Sequence, residues 1–213
     1  MKIGILGSGT VAQTLAAGFA RHGHQVMLGT REPAKLAEFA SQHAGVKIGT
    51  GPETAAFAEL SLLAVKGTAA EAALQGEVSR QLAGKVLIDA TNPIADAPPD
   101  QGVLRFFTTL DDSLMERLQR AHPAVRFVKA FNSVGAALMI DPKLPGGRPT
   151  MFIAGEDAEA KQTVAGLLEQ VGWDSADMGG AVAARAIEPL CILWCIPGFL
   201  RNDWMHAFKL LTV

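Results

Sequence analysis

The 213-residue chain contains no tyrosine. A Tyr–Lys general acid of the short-chain dehydrogenase sort is thereby excluded. Cysteine is scarce: Cys191 and Cys195 are the only two. Lying four residues apart, they would share one face of a helix, where a bridge fits disulfide geometry poorly. They read as buried free thiols in a reducing cytoplasm, with a metal site or redox pair as the alternative. Charge is sparse as well, at 19% of residues with a formal net charge of −2. Lysine and arginine are scattered, so the basic stripe of a nucleic-acid surface is missing. Lys2 precedes only a few apolar residues before Gly7, which does not read as a signal peptide, and none is expected. The longest apolar stretch near the end, Leu190 to Leu200, is too short to span a bilayer and contains Pro197 and Gly198. It reads as core or a partner surface, and no membrane association is expected.

Hydrolytic chemistry leaves no trace either. Paired-carboxylate spacings, metal-ligand clusters and a serine in a nucleophile elbow are all absent. His22 and His24 flank Gly23, while His43, His122 and His206 fall at expected helix ends or surfaces. All five read as structural or solvated. No metal is expected, and no internal repeat or low-complexity linker interrupts the chain.

What the chain has in quantity is apolar residues, 49%, and glycine, 22 residues. The length suffices for one large domain, or one domain with a small appendage, around a sizeable core. The organising stretch is Met1 to Ala12: a short apolar strand, the turn Gly7-Ser8-Gly9-Thr10-Val11-Ala12, and the start of a helix. This is a G-x-G-x-x-A pattern in strand–turn–helix context. Gly7 permits the tight turn, Gly9 lets a pyrophosphate approach the backbone, and Ala12 lets the helix pack closely on the strand. The helix N-terminus offers free N–H groups and partial positive charge to phosphates.

The end of the second expected strand, Gln25 to Gly29, bears on which dinucleotide binds. An NAD-selective site usually places an acidic residue there for the ribose hydroxyls. This chain has Gly29-Thr30-Arg31 instead. An arginine fork matches phosphate oxygens, Thr30 adds a hydroxyl, and Lys35 lies one helical turn beyond. Thr30, Arg31 and Lys35 read as a clamp for a 2′-phosphate, selecting NADP. The alternative is a solvated basic helix start, its field diluted by Glu32.

Further on, strands are expected at 46–48, 60–65, 85–90, 125–130, 151–154 and 173–177. Helices are expected at 10–22, 33–43, 51–57, from Lys66 to about Leu82, at 110–120 and 157–171, and over 181–211, the last kinked or split by Pro189 and Pro197. Residues just past parallel strands line the ligand edge of such a sheet. Ala64, Val65 and Lys66 therefore fall in the cofactor crevice, Lys66 as a ligand contact or a snorkelling surface lysine. Thr91, Asn92 and Pro93 follow the fifth strand. There a side-chain amide can bond a carboxamide and Pro93 forms a wall. Asp89 reads as a satisfied structural carboxylate rather than a catalytic one. Residues 95–109, with Pro98-Pro99, could form a rim or lid. The alternation of strand and helix predicts an α/β fold: a doubly wound parallel sheet of the Rossmann type, residues 1–150, with a C-terminal strand–helix extension, 151–213, completing the substrate pocket.

The order of these features resembles the NADP oxidoreductases dependent on the deazaflavin coenzyme F420. The resemblance covers nearly the whole chain. It includes the glycine turn, Gly29-Thr30-Arg31 with Lys35, Ala130-Phe131-Asn132-Ser133-Val134, Gly155-Glu156-Asp157-Ala158-Glu159-Ala160-Lys161, and Ala184-Arg185-Ala186-Ile187-Glu188-Pro189-Leu190. It implies that Gly7, Ser8, Gly9 and Thr10 bind NADP and that Thr30, Arg31 and Lys35 hold its 2′-phosphate. It also implies an apolar deazaflavin pocket between the sixth-strand end and the C-terminal segment. Two departures stand out: Glu32 where archaeal members have a second arginine, and Asn132 where they have histidine.

Hydride transfer between two redox rings needs little from side chains, because the cofactors carry the chemistry. The expectation is an NADP(H)-dependent oxidoreductase. Its flavin-like or F420 acceptor would stack at Asn132 and the Pro197-Gly198-Phe199 segment. The alternative is a non-catalytic NADP(H)-binding sensor. The apolar end, with Trp194, Phe199 and Trp204, could form a homodimer surface.

Overall fold

A computed structural model describes residues 1–212 of the protein. Its first half is a chain of short crossovers. Strand β1 (Lys2–Leu6) leads into helix α1 (Thr10–Arg21), which returns to β2 (Gln25–Gly29). A 3₁₀ turn at Pro33–Leu36, opened by proline at a position that needs no N–H, runs into α2 (Ala37–Gln42) and β3 (Val46–Gly49). Then come α3 (Gly51–Phe57) and β4 (Leu60–Leu63). Thr50 and Glu53 cap α3 reciprocally, each satisfying a backbone N–H of the other's segment.

The helix expected from Lys66 to Leu82 is instead broken into a 3₁₀ turn, α4 (Ala70–Ala73) and α5 (Glu77–Leu82). Gly76, at φ +64, sits in the left-handed region that ends one helix and redirects the chain into the next. β5 (Val86–Asp89) follows. Next is an irregular segment whose ends pair through Ala95 N–H to Arg105 O, 2.8 Å, and Phe107 N–H to Pro93 O, 2.9 Å. Helix α6 (Leu114–Ala121) starts later than the expected Leu110, because Ser113 caps it. β6 (Arg126–Lys129), β7 (Thr150–Ile153), α7 (Ala158–Gln170) and β8 (Asp174–Asp177) complete the alternation.

The six-stranded sheet has the order β3-β2-β1-β4-β5-β6, all parallel. The order reverses between β1 and β4, so a crevice opens there at the carboxyl ends of the strands. Strands covered on both faces need apolar side chains in both directions, and Leu60–Leu63 is buried at every position. β7 and β8 form a separate parallel pair, joined to the main sheet by an antiparallel bridge between Ala154 and Lys129. Met151, Ile153, Val164, Leu167 and Trp173 from this region share one apolar core with Ile3, Ile5, Leu28 and Leu62 of the main sheet.

The end of the chain departs from the sequence expectation. α8 (Ala184–Ile187) and α9 (Leu190–Arg201) are nearly continuous, and Pro197 is accommodated inside α9. Helix does not extend to Leu211. Asn202 adopts the left-handed conformation at φ 55 and stops it, its N–H bonded to Gly198 O. Beyond it the chain folds back on α9, where Trp194 Nε1 donates to His206 O at 2.8 Å, and then reaches the start of β7, where Thr150 N–H donates to Phe208 O at 2.9 Å. The helical run Ala181–Arg201 spans 21 residues and is longer than the apolar stretch read from the sequence. By length and composition it could cross a bilayer. Here Ala184, Ile187, Cys191 and Trp194 face the protein interior, and Glu188 enters a buried ion pair.

Candidate cofactor site

Three strand ends meet at the glycine turn. Gly7 N–H donates to Gly29 O at 2.9 Å, tying β1 to the end of β2, and Ala64 N–H donates to Leu6 O at 2.8 Å, tying β4 to β1. Gly7 has φ +140, and a β-carbon there would lie 2.2 Å from the Ala64 carbonyl oxygen. Only glycine fits this position. Gly9 plays a different part. Its φ of −80 is ordinary, and a β-carbon on it would meet nothing within 4 Å. It is exposed, as are Ser8 and Thr10, while Val11 is half-buried. No side chain caps α1, and its first turn carries no acidic residue. The free N–H groups and positive end of the helix dipole therefore face outward at the switch point, a surface suited to a diphosphate.

At the end of β2, Thr30 N–H donates to Gly49 O at 3.0 Å, and the Thr30 hydroxyl accepts from Glu32 N–H at 3.2 Å. Arg31 is exposed and makes no ion pair among the described residues. Lys35 is paired with Glu32 at 2.9 Å. Both partners are largely exposed, so this pair contributes little and can open. Thr30 and Arg31 thus follow directly on Gly29, whose carbonyl accepts from Gly7 N–H, and Lys35 is held by a local carboxylate.

The other half of the edge is more tightly built. Ala64 and Val65 are half-buried after β4, and Lys66 is exposed. Gly67 presses the β4 turn against the β5 turn, where an added β-carbon would lie 2.0 Å from Asn92 O. Pro93 is buried. Asn92 and Asn132 interlock: Asn92 Nδ2 donates to Asn132 O at 2.8 Å, and Asn132 Nδ2 donates to Asn92 Oδ1 at 3.2 Å and to Ile187 O at 3.0 Å. Between β6 and Asn132, Phe131 sits at φ 63, unusual for a bulky residue. It is held there by burial, an edge-on contact with Phe19, and its N–H bonded to Met151 Sδ. This strained residue turns the chain so that Asn132 reaches Asn92.

The sequence-expected residues therefore gather along one edge: Gly7 to Val11, Thr30, Arg31, Ala64 to Lys66, Thr91 to Pro93, and Asn132. Pro197 and Phe199 stand apart from Asn132. Asn132 meets the C-terminal run at Ile187, about 15 Å up the helix axis at 1.5 Å per residue. Phe199 instead packs edge-on against Trp204, ring centroids 5.3 Å apart, and Gly198 is pressed to the same indole. A concavity of about 330 Å³ does lie beside the β4 turn, lined by Gly67, Thr68, Glu71, Ala95, Asp96, Phe107 and Leu114.

Sequence reasoning missed a charged cluster under this edge. Lys129 is fully buried and donates to Asp89 Oδ2 at 2.9 Å, Thr91 O at 2.8 Å and Glu188 Oε1 at 2.9 Å. Burial acts to lower the Lys129 pKa, but the two carboxylates more than offset it, and the net shift is upward. Asp89 is the satisfied structural carboxylate that the sequence suggests: its other oxygen accepts from Thr91 N–H and hydroxyl. A signal existed. The two strand ends read Asp89-Ala-Thr-Asn92 and Lys129-Ala-Phe-Asn132, with opposite charges at matching offsets, and Asp89 and Lys129 are register partners. Glu188 had no such signal.

The strand order, the switch-point crevice and the uncapped glycine turn define the class: a doubly wound α/β protein with a dinucleotide-type site. Within that class, the chain belongs to the coenzyme F420-dependent NADP oxidoreductase family, whose profile matches residues 2–93. It is 33% identical to the F420-dependent NADP reductase of Methanothermobacter marburgensis, over 99% of each chain. It is 32% identical to rat metalloreductase STEAP3 over 97% of its own length, spanning 40% of that longer protein. A crystal structure from Arthrobacter sp. FB24, described as that of a provisional F420-dependent NADP-reductase, superposes with a TM-score of 0.92 at 36% identity, covering all of both chains.

Proposed function

We propose that this oxidoreductase holds NADP(H) along the carboxyl edge and passes a hydride between it and a planar, flavin-like or deazaflavin acceptor such as coenzyme F420. The observation that carries the reading is the uncapped N-terminus of α1, with Gly9 bare, beside an arginine that makes no ion pair among the described residues. Backbone N–H groups of the Gly7–Val11 turn would take the diphosphate. Thr30 and Arg31 would take the 2′-phosphate, and Lys35 would join them by leaving Glu32. Ala64, Val65, Thr91, Asn92 and Pro93 would wall the nicotinamide half, with Lys66 at its rim. When bound, the nicotinamide supplies the hydride; the chain supplies orientation and a dry wall. The names of the full-length relatives support this cofactor and this acceptor class.

The chain's free cysteines suit a reducing compartment such as the cytoplasm. The exposed Leu193, Phe199 and Leu200 of α9 offer an apolar face to a second copy.

Absorbance at the NADPH band, followed with F420, FMN, FAD and riboflavin, tests the reaction. Turnover with one of them is expected, and tight NADPH binding without turnover on all four points to a sensor. The clamp is tested separately. Arg31→Ala should weaken NADPH binding by about 1–3 kcal/mol, the scale of charge-assisted hydrogen bonds, and leave NADH binding nearly unchanged. Equal losses for both nucleotides exclude the clamp.

A further inference from the structure

We infer that Lys129 is a positioning residue for the nicotinamide half of the site: it holds the Thr91-Asn92-Pro93 turn in register with the C-terminal helix through Asp89, Thr91 and Glu188. The inference rests on the NADP(H) reading above and adds to it a residue that touches no ligand.

An ammonium has three N–H donors. Those of Lys129 go to Asp89 Oδ2, Thr91 O and Glu188 Oε1. None remains to deliver a proton, so Lys129 is not a general acid. What it does hold is Thr91, on three sides. Lys129 takes the Thr91 carbonyl directly, and Asp89, fixed by Lys129, takes the Thr91 N–H at 2.9 Å and hydroxyl at 2.6 Å. The next residue, Asn92, is locked to Asn132 and pressed by Gly67.

Glu188 extends the grip outward. Its Oε2 accepts from Leu114 N–H and its Oε1 from Met115 N–H, both at 3.0 Å, so the start of α6 and the junction of α8 with α9 close on the same lysine. A well-packed apolar group would serve stability equally well, since burying three charges is seldom a net gain. Directional bonds to one turn are what the apolar alternative cannot supply. That turn flanks the crevice on the β4–β5 side of the switch point, away from the glycine turn and Arg31.

The test separates the two halves of the nucleotide. Lys129→Met and Glu188→Gln are titrated with NADPH and with 2′-phospho-ADP-ribose, which keeps the adenosine end and lacks the nicotinamide. Positioning predicts that NADPH affinity falls about tenfold or more, as expected when a group set at close quarters is misplaced, while 2′-phospho-ADP-ribose binds as in the wild type. A merely structural role lowers both affinities together or neither, and either result overturns the inference. If Lys129→Met does not fold, the same comparison on Glu188→Gln decides. Failure of the wild type to bind either probe overturns the NADP(H) reading itself, and the inference falls with it.

Discussion

Two helix starts in this molecule solve the same problem in opposite ways. Every α-helix begins with N–H groups that lack an intrahelical partner. At α6 the protein satisfies them itself: Ser113 and Glu116 form a reciprocal cap, and Glu188 takes the N–H groups of Leu114 and Met115. At α1 no side chain does so, the N-cap is a glycine, and no acid sits in the first turn. The α6 start is buried, where an unpaired donor is costly. The α1 start is exposed at the switch point, where solvent or an anion can take its donors. A filled helix end builds the scaffold, and a bare one marks where a ligand's charge can be placed.

Emptying the filled end should have the largest effect. Glu188→Ala leaves two buried N–H groups unpaired and Lys129 with one carboxylate, and should lower stability by about 3–5 kcal/mol, read from denaturant unfolding. A loss under 1 kcal/mol would mean the two helix starts differ in appearance only. Filling the bare end is the converse. Gly9→Asp meets no steric obstacle, yet sets a carboxylate against the expected diphosphate. It should weaken NADPH binding about a hundredfold, or about 3 kcal/mol by the affinity scale, measured by calorimetry. Unchanged affinity would remove α1 from the site.

The filled end also titrates. The Arg185 guanidinium, with the Ser113 bonds, holds the Glu116 carboxyl down at about 2 against an ordinary 4.5, although burial opposes this. A carboxyl depressed in the folded state adds stability above its unfolded pKa and loses it as pH falls. Stability should therefore decline between about pH 4.5 and 2, by on the order of 1–3 kcal/mol from this group. Glu116→Gln should flatten that part of the curve in acid unfolding experiments. The smallest effect belongs again to Gly9→Asp, whose carboxylate caps α1. In the absence of nucleotide it should raise stability by a few tenths of a kcal/mol, seen as a slightly higher Tm.

Much of the fold was legible in the residues. The apolar run from Leu60 to Val65 announced a strand, and the structure forms one over Leu60–Leu63, buried at every position. The α1 turn could be read because its glycine spacing and its φ of +140 at Gly7 are local, although the Ala64 carbonyl that also bars a side chain at Gly7 comes from a distant strand. The C-terminal helix was overdrawn past Arg201, since nothing in the apolar pattern of 202–211 reveals that the chain folds back to bond Trp194 and Thr150. Of the two prolines expected to kink or split the helix, Pro189 stands at the break between α8 and α9, and Pro197 lies inside α9. Glu188 was invisible as a site residue because its partners lie 59 to 74 positions away. Phe131 was equally hidden, as no sequence rule places a left-handed phenylalanine at the end of a strand.

Periodicity and turn chemistry, read from the chain alone, determined the alternating α/β order, the phosphate-type turn and the basic end of β2. These depend on residues within a few positions of each other. Tertiary structure alone decided which carboxylates would surround Lys129, which strand end Asn132 would grip, and which helix start would be left open. A buried charge is tolerated only where distant segments converge to pair it, and that convergence is set by the packing of the whole sheet rather than by any local stretch.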